Sequence, residues 1–181
     1  MLVILTTLCS LLACTLDVGG PEPPGNAIPI QPDSSADLED AWQAALTGAA
    51  SNGQITVLLN EVQLTAFINQ RFQQGERPLI TNPQIYLRDG SILMYGEVER
   101  TILRGNILVT IQPEILPEGD LRFAIADASL GPVPAPEALL DALSAVLTEA
   151  FTGSVGSLAT GIRVSSLAID NGEMAIVGEL R

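Results

Sequence analysis

Between Pro83 and Pro134 the sequence alternates apolar and polar residues through four short runs, each closed by a turn signal. That is the pattern of a β-meander. Asp89-Gly90 is a hairpin dipeptide, because both residues tolerate the positive φ of a tight two-residue turn. Arg104-Gly105 and Glu118-Gly119-Asp120 punctuate the later joins. Ile107, Val109 and Ile111 fall on one face of a strand, and Leu121, Phe123 and Ile125 on one face of the next. The opposite faces carry Asn106, Thr110, Gln112 and Arg122. A sheet that is apolar on one side and wet on the other needs a covering layer.

The rest of the chain supplies that layer. Ser34 to Ala49 reads as an amphipathic helix, with Ser34 or Ser35 as cap and Leu38, Trp42, Ala45 and Leu46 on one face. Ile55, Val57 and Leu59 alternate as a strand. Asn60 and Gln63 then make a capping box for a helix that stacks Leu64, Phe67, Ile68, Arg71 and Phe72. After the meander, Gly131 to Pro136 forms a stiff corner, and Pro136 suits the first position of a helix. That helix presents Leu139, Leu143, Val146 and Leu147 on a stripe, which Leu140 and Phe151 widen. Two closing strands, the first with an irregular Ser165-Ser166 pair that suggests a bulge, are joined by Asp170-Asn171-Gly172. The reading is α+β: a curved, mainly antiparallel sheet of about six or seven strands wrapped on two to three helices.

Composition removes several function classes. The chain has 181 residues, enough for one domain with a substantial core, and is 47% hydrophobic with 4% aromatics. Its mean hydropathy is +0.35. A net charge of −13, from 21 acids against 8 arginines, argues against nucleic-acid binding, which needs cations to displace counterions. Without His or Lys there is no histidine-activated nucleophile, P-loop lysine or Schiff base. Cys9 and Cys14 are the only cysteines, so the folded part holds no disulfide and no thiolate metal site.

Met1 to Ala13 is uncharged and nearly all apolar, shorter than the roughly 20 residues of a membrane span and suited to a signal-peptide core. Leu11-Leu12-Ala13-Cys14 resembles the lipobox of bacterial lipoproteins. The resemblance implies cleavage before Cys14 and attachment of diacylglycerol to its sulfur, a membrane anchor on the extracytoplasmic side of a bacterial envelope. The expected organisation is a signal peptide over 1–13, a lipidated Cys14 and Pro-rich tether over 14–35, and one domain over 36–181. Residues 15–35, with five prolines and three glycines, read as a spacer. The chain departs from signal peptides in one respect, for no Arg or Lys precedes the apolar run. The alternative is a secretory signal in which Cys14 is incidental.

Over residues 55 to 180 the order and wording resemble the LmeA-like and YpmS-like bacterial lipid-binding proteins, relatives of the tubular lipid-binding (TULIP) superfamily. The matching pieces are LNEVQLTAFINQRF, the run from Asp89 to Leu143, and GIRVSSLAIDNGEMAIVGEL. The resemblance lies in patterning and turn residues and includes no catalytic signature. It implies a groove for phospholipid or an acyl chain such as palmitate, between the sheet and the C-terminal helix. The lining residues would be Ile107, Val109, Ile111, Phe123, Ile125, Leu139, Leu140, Leu143, Val146, Leu147 and Phe151. From the residues alone, the same stripes describe a dry core more readily than a cavity.

Other constellations are weak. Asp37, Glu39 and Asp40 suit a solvated helix N-terminus, and Asp89, Glu97 and Glu99 lack calcium-loop spacing. Arg100, Arg104 and Arg122 could meet a phosphate headgroup or simply be surface charges. The expectation is a non-enzymatic, cofactor-free envelope lipoprotein that binds lipid or another apolar molecule. A docking module for an envelope protein, without a cavity, is the alternative.

Overall fold

The computed structural model describes residues 16–31, 34–49, 53–73, 78, 80–100, 103–148 and 162–180. Among them the elements are β1 (Leu16–Asp17), α1 (Ser34–Ala49), β2 (Gln54–Asn60), α2 (Glu61–Gln73), β3 (Thr81–Arg88), β4 (Ser91–Arg100), β5 (Leu103–Ile115), β6 (Leu121–Leu130), β7 (Val133–Pro134), α3 (Glu137–Thr148), β8 (Ile162–Asp170) and β9 (Glu173–Leu180). The order of the long elements is the expected one, and the fold is α+β and mainly antiparallel. Residues 1–15, on which the expected signal peptide, Cys9 and Cys14 fall, lie outside the described residues, as does Phe151.

Local chemistry sets most boundaries. The Asn60 carboxamide accepts from the Gln63 N–H at 2.9 Å while the Gln63 side chain accepts from the Asn60 N–H at 3.0 Å, so the capping box starts α2. Asp89-Gly90 turns with φ of 49° and 76°, and Asn171-Gly172 with 50° and 86°. Two positive values in a two-residue loop define the turn that matches strand twist. Ser165 sits at a register shift between Val164 and Ser166, the expected bulge. The join expected at Arg104-Gly105 is a correction. Both residues lie inside β5, where Arg104 pairs with Glu99 and Gly105 with Val98, and β4 ends at Arg100. Gly105 is there to admit a neighbouring chain, for a Cβ on it would lie 2.5 Å from Val18 Cγ2.

The strands divide between two sheets. One runs β3-β4-β5-β6-β7 with β1 beside β5, and the other runs β2-β9-β8. Burial follows the strict alternation of the sequence on β2, where Ile55, Val57 and Leu59 are buried and their neighbours exposed. The inner face of the large sheet carries Ile85, Leu87, Ile92, Met94, Ile107, Val109 and Ile111. Helices α1 and α2 pack on each other and on β2, α2 also packs on β3, and α3 lies on β6. Trp42 and Leu38 are fully buried in this core. Thr65 on α2 docks that helix to the sheet, its buried hydroxyl accepting from the Ile85 N–H at 3.0 Å.

The two sheets also meet end to end. The Gly90 N–H donates to the Ile169 carbonyl and the Gly172 N–H to the Leu87 carbonyl, each at 3.1 Å. Glu61 completes the join, accepting from the Leu87 N–H at 2.8 Å and pairing with Arg88.

The outer face of the large sheet is not simply wet. Gln84, Tyr86 and Tyr95 point to it, yet all three are buried. The Pro-rich stretch expected as a spacer lies across them, in its described part, as a strap. The Gln84 carboxamide accepts from the Ile28 N–H at 2.5 Å and donates to the Ile28 carbonyl at 3.3 Å, copying a strand pairing with one side chain. The Tyr86 hydroxyl donates to the Asn26 carbonyl at 3.3 Å. Tyr86 and Tyr95 meet edge to face with centroids 5.6 Å apart. Extended Pro-rich chain lacks internal hydrogen bonds, so its carbonyls are free to be fastened in this way.

Candidate functional site

The residues expected to line an apolar groove separate into two sets. Ile107, Val109 and Ile111 on β5 and Leu143 on α3 are at most 1% exposed. Buried to that degree, they form the floor beneath the rest. Phe123 and Ile125 on β6 and Leu139 and Leu140 on α3 are half-buried and packed against that floor. Val146 and Leu147 continue helix α3. The expected groove lining left out Leu121, which stands beside Phe123 on the same face of β6 and is also half-buried. Its alternation with Phe123 and Ile125 was the available signal.

The register explains the strip. Ile125 pairs with Ile111, Phe123 with Pro113 and Leu121 with Ile115, so the inner face of the sheet continues outward along β6 beyond the buried β5 trio. A shift between Thr110 and Ile111 keeps both apolar sets on one side. Helix α3 covers β6 only in part. The result is a half-covered aliphatic strip from Leu121 to Ile125 with Leu139 and Leu140 as its second wall.

Two other hollows lie beside the strap. One of ≈ 340 Å³ is lined by Asp17, Gly19, Glu97, Arg104, Gly105 and Asn106, and a smaller one of ≈ 90 Å³ lies by Pro21, Pro23, Gln84 and Tyr95. Polar and charged groups dominate the first, which suits water far better than hydrocarbon. Of the arginines considered for a headgroup, Arg104 and Arg122 do not converge, and the Arg100 side chain lies outside what is described. Arg104 pairs with Glu97 at 3.7 Å at the start of β5, whereas Arg122 binds Glu114 at that strand's other end. Among the described residues no group of acids, histidines and cysteines could hold a metal ion. No helix among them is long and apolar enough to cross a membrane.

One phenol is perturbed. Burial pushes the Tyr86 hydroxyl up from its ordinary value, the Glu61 carboxylate and Tyr95 add to the rise, and Arg88 opposes it. An acid raised in the folded state is stabilised in its neutral form. Its contribution is complete below the unfolded phenol's value, about pH 10, and is lost as pH rises through that value toward the folded one. Ionisation also removes the donor that holds Asn26. Thermal melts from about pH 8 to 11 should therefore fall at the alkaline end, and the part due to this residue should vanish in Tyr86→Phe.

No family model matches the chain, and no curated protein matches it.

Proposed function

We propose that the protein is an exported, membrane-anchored lipoprotein that binds lipid through the aliphatic strip between β6 and α3. The observation that supports this reading is the half-covered row of Leu121, Phe123, Ile125, Leu139 and Leu140 laid over a sealed aliphatic floor. Five large apolar side chains left in that state in a continuous row are more than scattered surface hydrophobics. An acyl chain is the ligand whose shape and chemistry they fit. Each buried CH₂ contributes about 0.8 kcal/mol, so eight methylenes on the strip would contribute about 6 kcal/mol before association costs. Strip and floor are aliphatic apart from Phe123, with no catalytic group among them, so the role is binding or carriage rather than reaction.

The test is direct. Residues 16–181, which keep the strap, are purified and extracted for lipid mass spectrometry, then titrated with a fluorescent fatty acid and with phosphatidylcholine vesicles. Co-purified lipid and saturable binding are expected, and Phe123→Asp should weaken fatty-acid binding by at least about tenfold while the protein stays folded. Clean protein that ignores both probes would overturn the reading in favour of a protein-docking module.

A further inference from the structure

The strap begins beside the start of β5, and its fastening has a consequence for how the domain sits on a membrane. Leu16 and Asp17 pair in parallel with Leu103 and Arg104. The Val18 N–H then donates to the Arg104 carbonyl at 2.9 Å, and the Asn106 N–H to the Gly19 carbonyl at 2.8 Å. Glycines make the berth. A Cβ on Gly105 would fall 2.5 Å from Val18 Cγ2, and one on Gly131 would fall 2.7 Å from the Val18 carbonyl oxygen. Farther along, Gln84 and Tyr86 fasten Ile28 and Asn26 on β3, three strands away from β6. A segment held at two separated strands is a fixture, not a swivel.

We propose that this fixture stands the domain on the bilayer by the end of the large sheet where β4 passes into β5. The proposal rests on reading Cys14 as the acylated residue. Two residues of trans-linked chain span at most about 7 Å, and a strand partner lies about 5 Å away. Cys14 is therefore within about 12 Å of the Leu103 backbone, which leaves no slack for a long leash. The opposite end of the sheet is remote. Gln112 lies nine positions along β5 from Leu103, about 30 Å at strand rise. A net charge of −13 opposes laying the body flat on an anionic leaflet, so the strands point away from the surface.

The full chain, exported, matured and reconstituted in phosphatidylcholine vesicles that contain anionic phosphatidylglycerol and an acceptor-labelled lipid, tests this by energy transfer. A donor is placed on Arg104→Cys or on Gln112→Cys, both exposed positions. An acylated Cys14 is a thioether and takes no maleimide. Transfer should be strong from position 104 and several-fold weaker from position 112. An eight-residue Gly-Ser insertion after Thr15 leaves the strap intact and should lower transfer from position 104 without releasing protein from vesicles. Equal transfer from the two positions with Cys14 acylated, or an insertion without effect, overturns the proposal and leaves the anchor standing. Mass spectrometry that finds Cys14 unmodified overturns both.

Discussion

Trp42→Ala is expected to cost about 3–5 kcal/mol, the range for deleting a buried tryptophan. Trp42 is 1% exposed and is held by α1 against α2 and β2 at the centre of the packed residues. Against a total stability on the order of 5–15 kcal/mol, the loss would remove a large share of the margin that keeps the chain folded. A melting temperature roughly 10 °C lower follows for a chain of this size. Calorimetry and far-ultraviolet circular dichroism are the measurements, because the substitution removes the only tryptophan fluorophore. Leu58→Ala is the matching control. Leu58 is 59% exposed on the outer side of β2, and its loss should change stability by no more than about 0.5 kcal/mol.

Removing the strap is the second large perturbation. A chain that starts at Ser34 uncovers Tyr86, Tyr95 and Gln84, all of them buried in the intact protein. Aromatic side chains bury about 150–250 Å² each. Re-exposing half of that area on two tyrosines costs about 4–6 kcal/mol at 25 cal/mol per Å². Freeing the strap returns conformational entropy, so the net loss is smaller than this. The backbone edge of β5 at Arg104 and Asn106 also loses its partners, and a bare edge invites pairing between molecules. Urea unfolding should show a lower midpoint, and light scattering should show association on warming. An unchanged midpoint would mean that the strap covers the tyrosines without stabilising the fold.

What could be read ahead of the structure was whatever chemistry is local. The Asn60–Gln63 box, the Asp-Gly and Asn-Gly turns, the alternation on β2 and the bulge at Ser165 each involve residues within a few positions of one another. The strap could not be read that way. Its fasteners, Gln84 and Tyr86, are 56 and 60 positions from Ile28 and Asn26, and proline content alone says only that a segment builds no helix. Gly105 misled for a related reason, for a glycine that admits another chain looks, in one dimension, like a glycine that turns. In the aliphatic strip, the residue types were legible but their division into floor and wall was not. Ile111 and Ile125 are alike in sequence and paired in register, yet one is buried and the other half-buried, a difference set by long-range packing that no local pattern carries.

The smaller sheet sets a timetable for folding. Val57 finds its partner in Ile176, and β9, not β2, is the middle strand of the three. Until Glu173 to Leu180 have been synthesised, β2 has nothing to pair with, and the two turns at Gly90 and Gly172 cannot clasp. Pairings that span most of a polypeptide form slowly. The small sheet of a chain so arranged stays unmade while its last strand is still being synthesised, so the final eight-residue strand closes the fold.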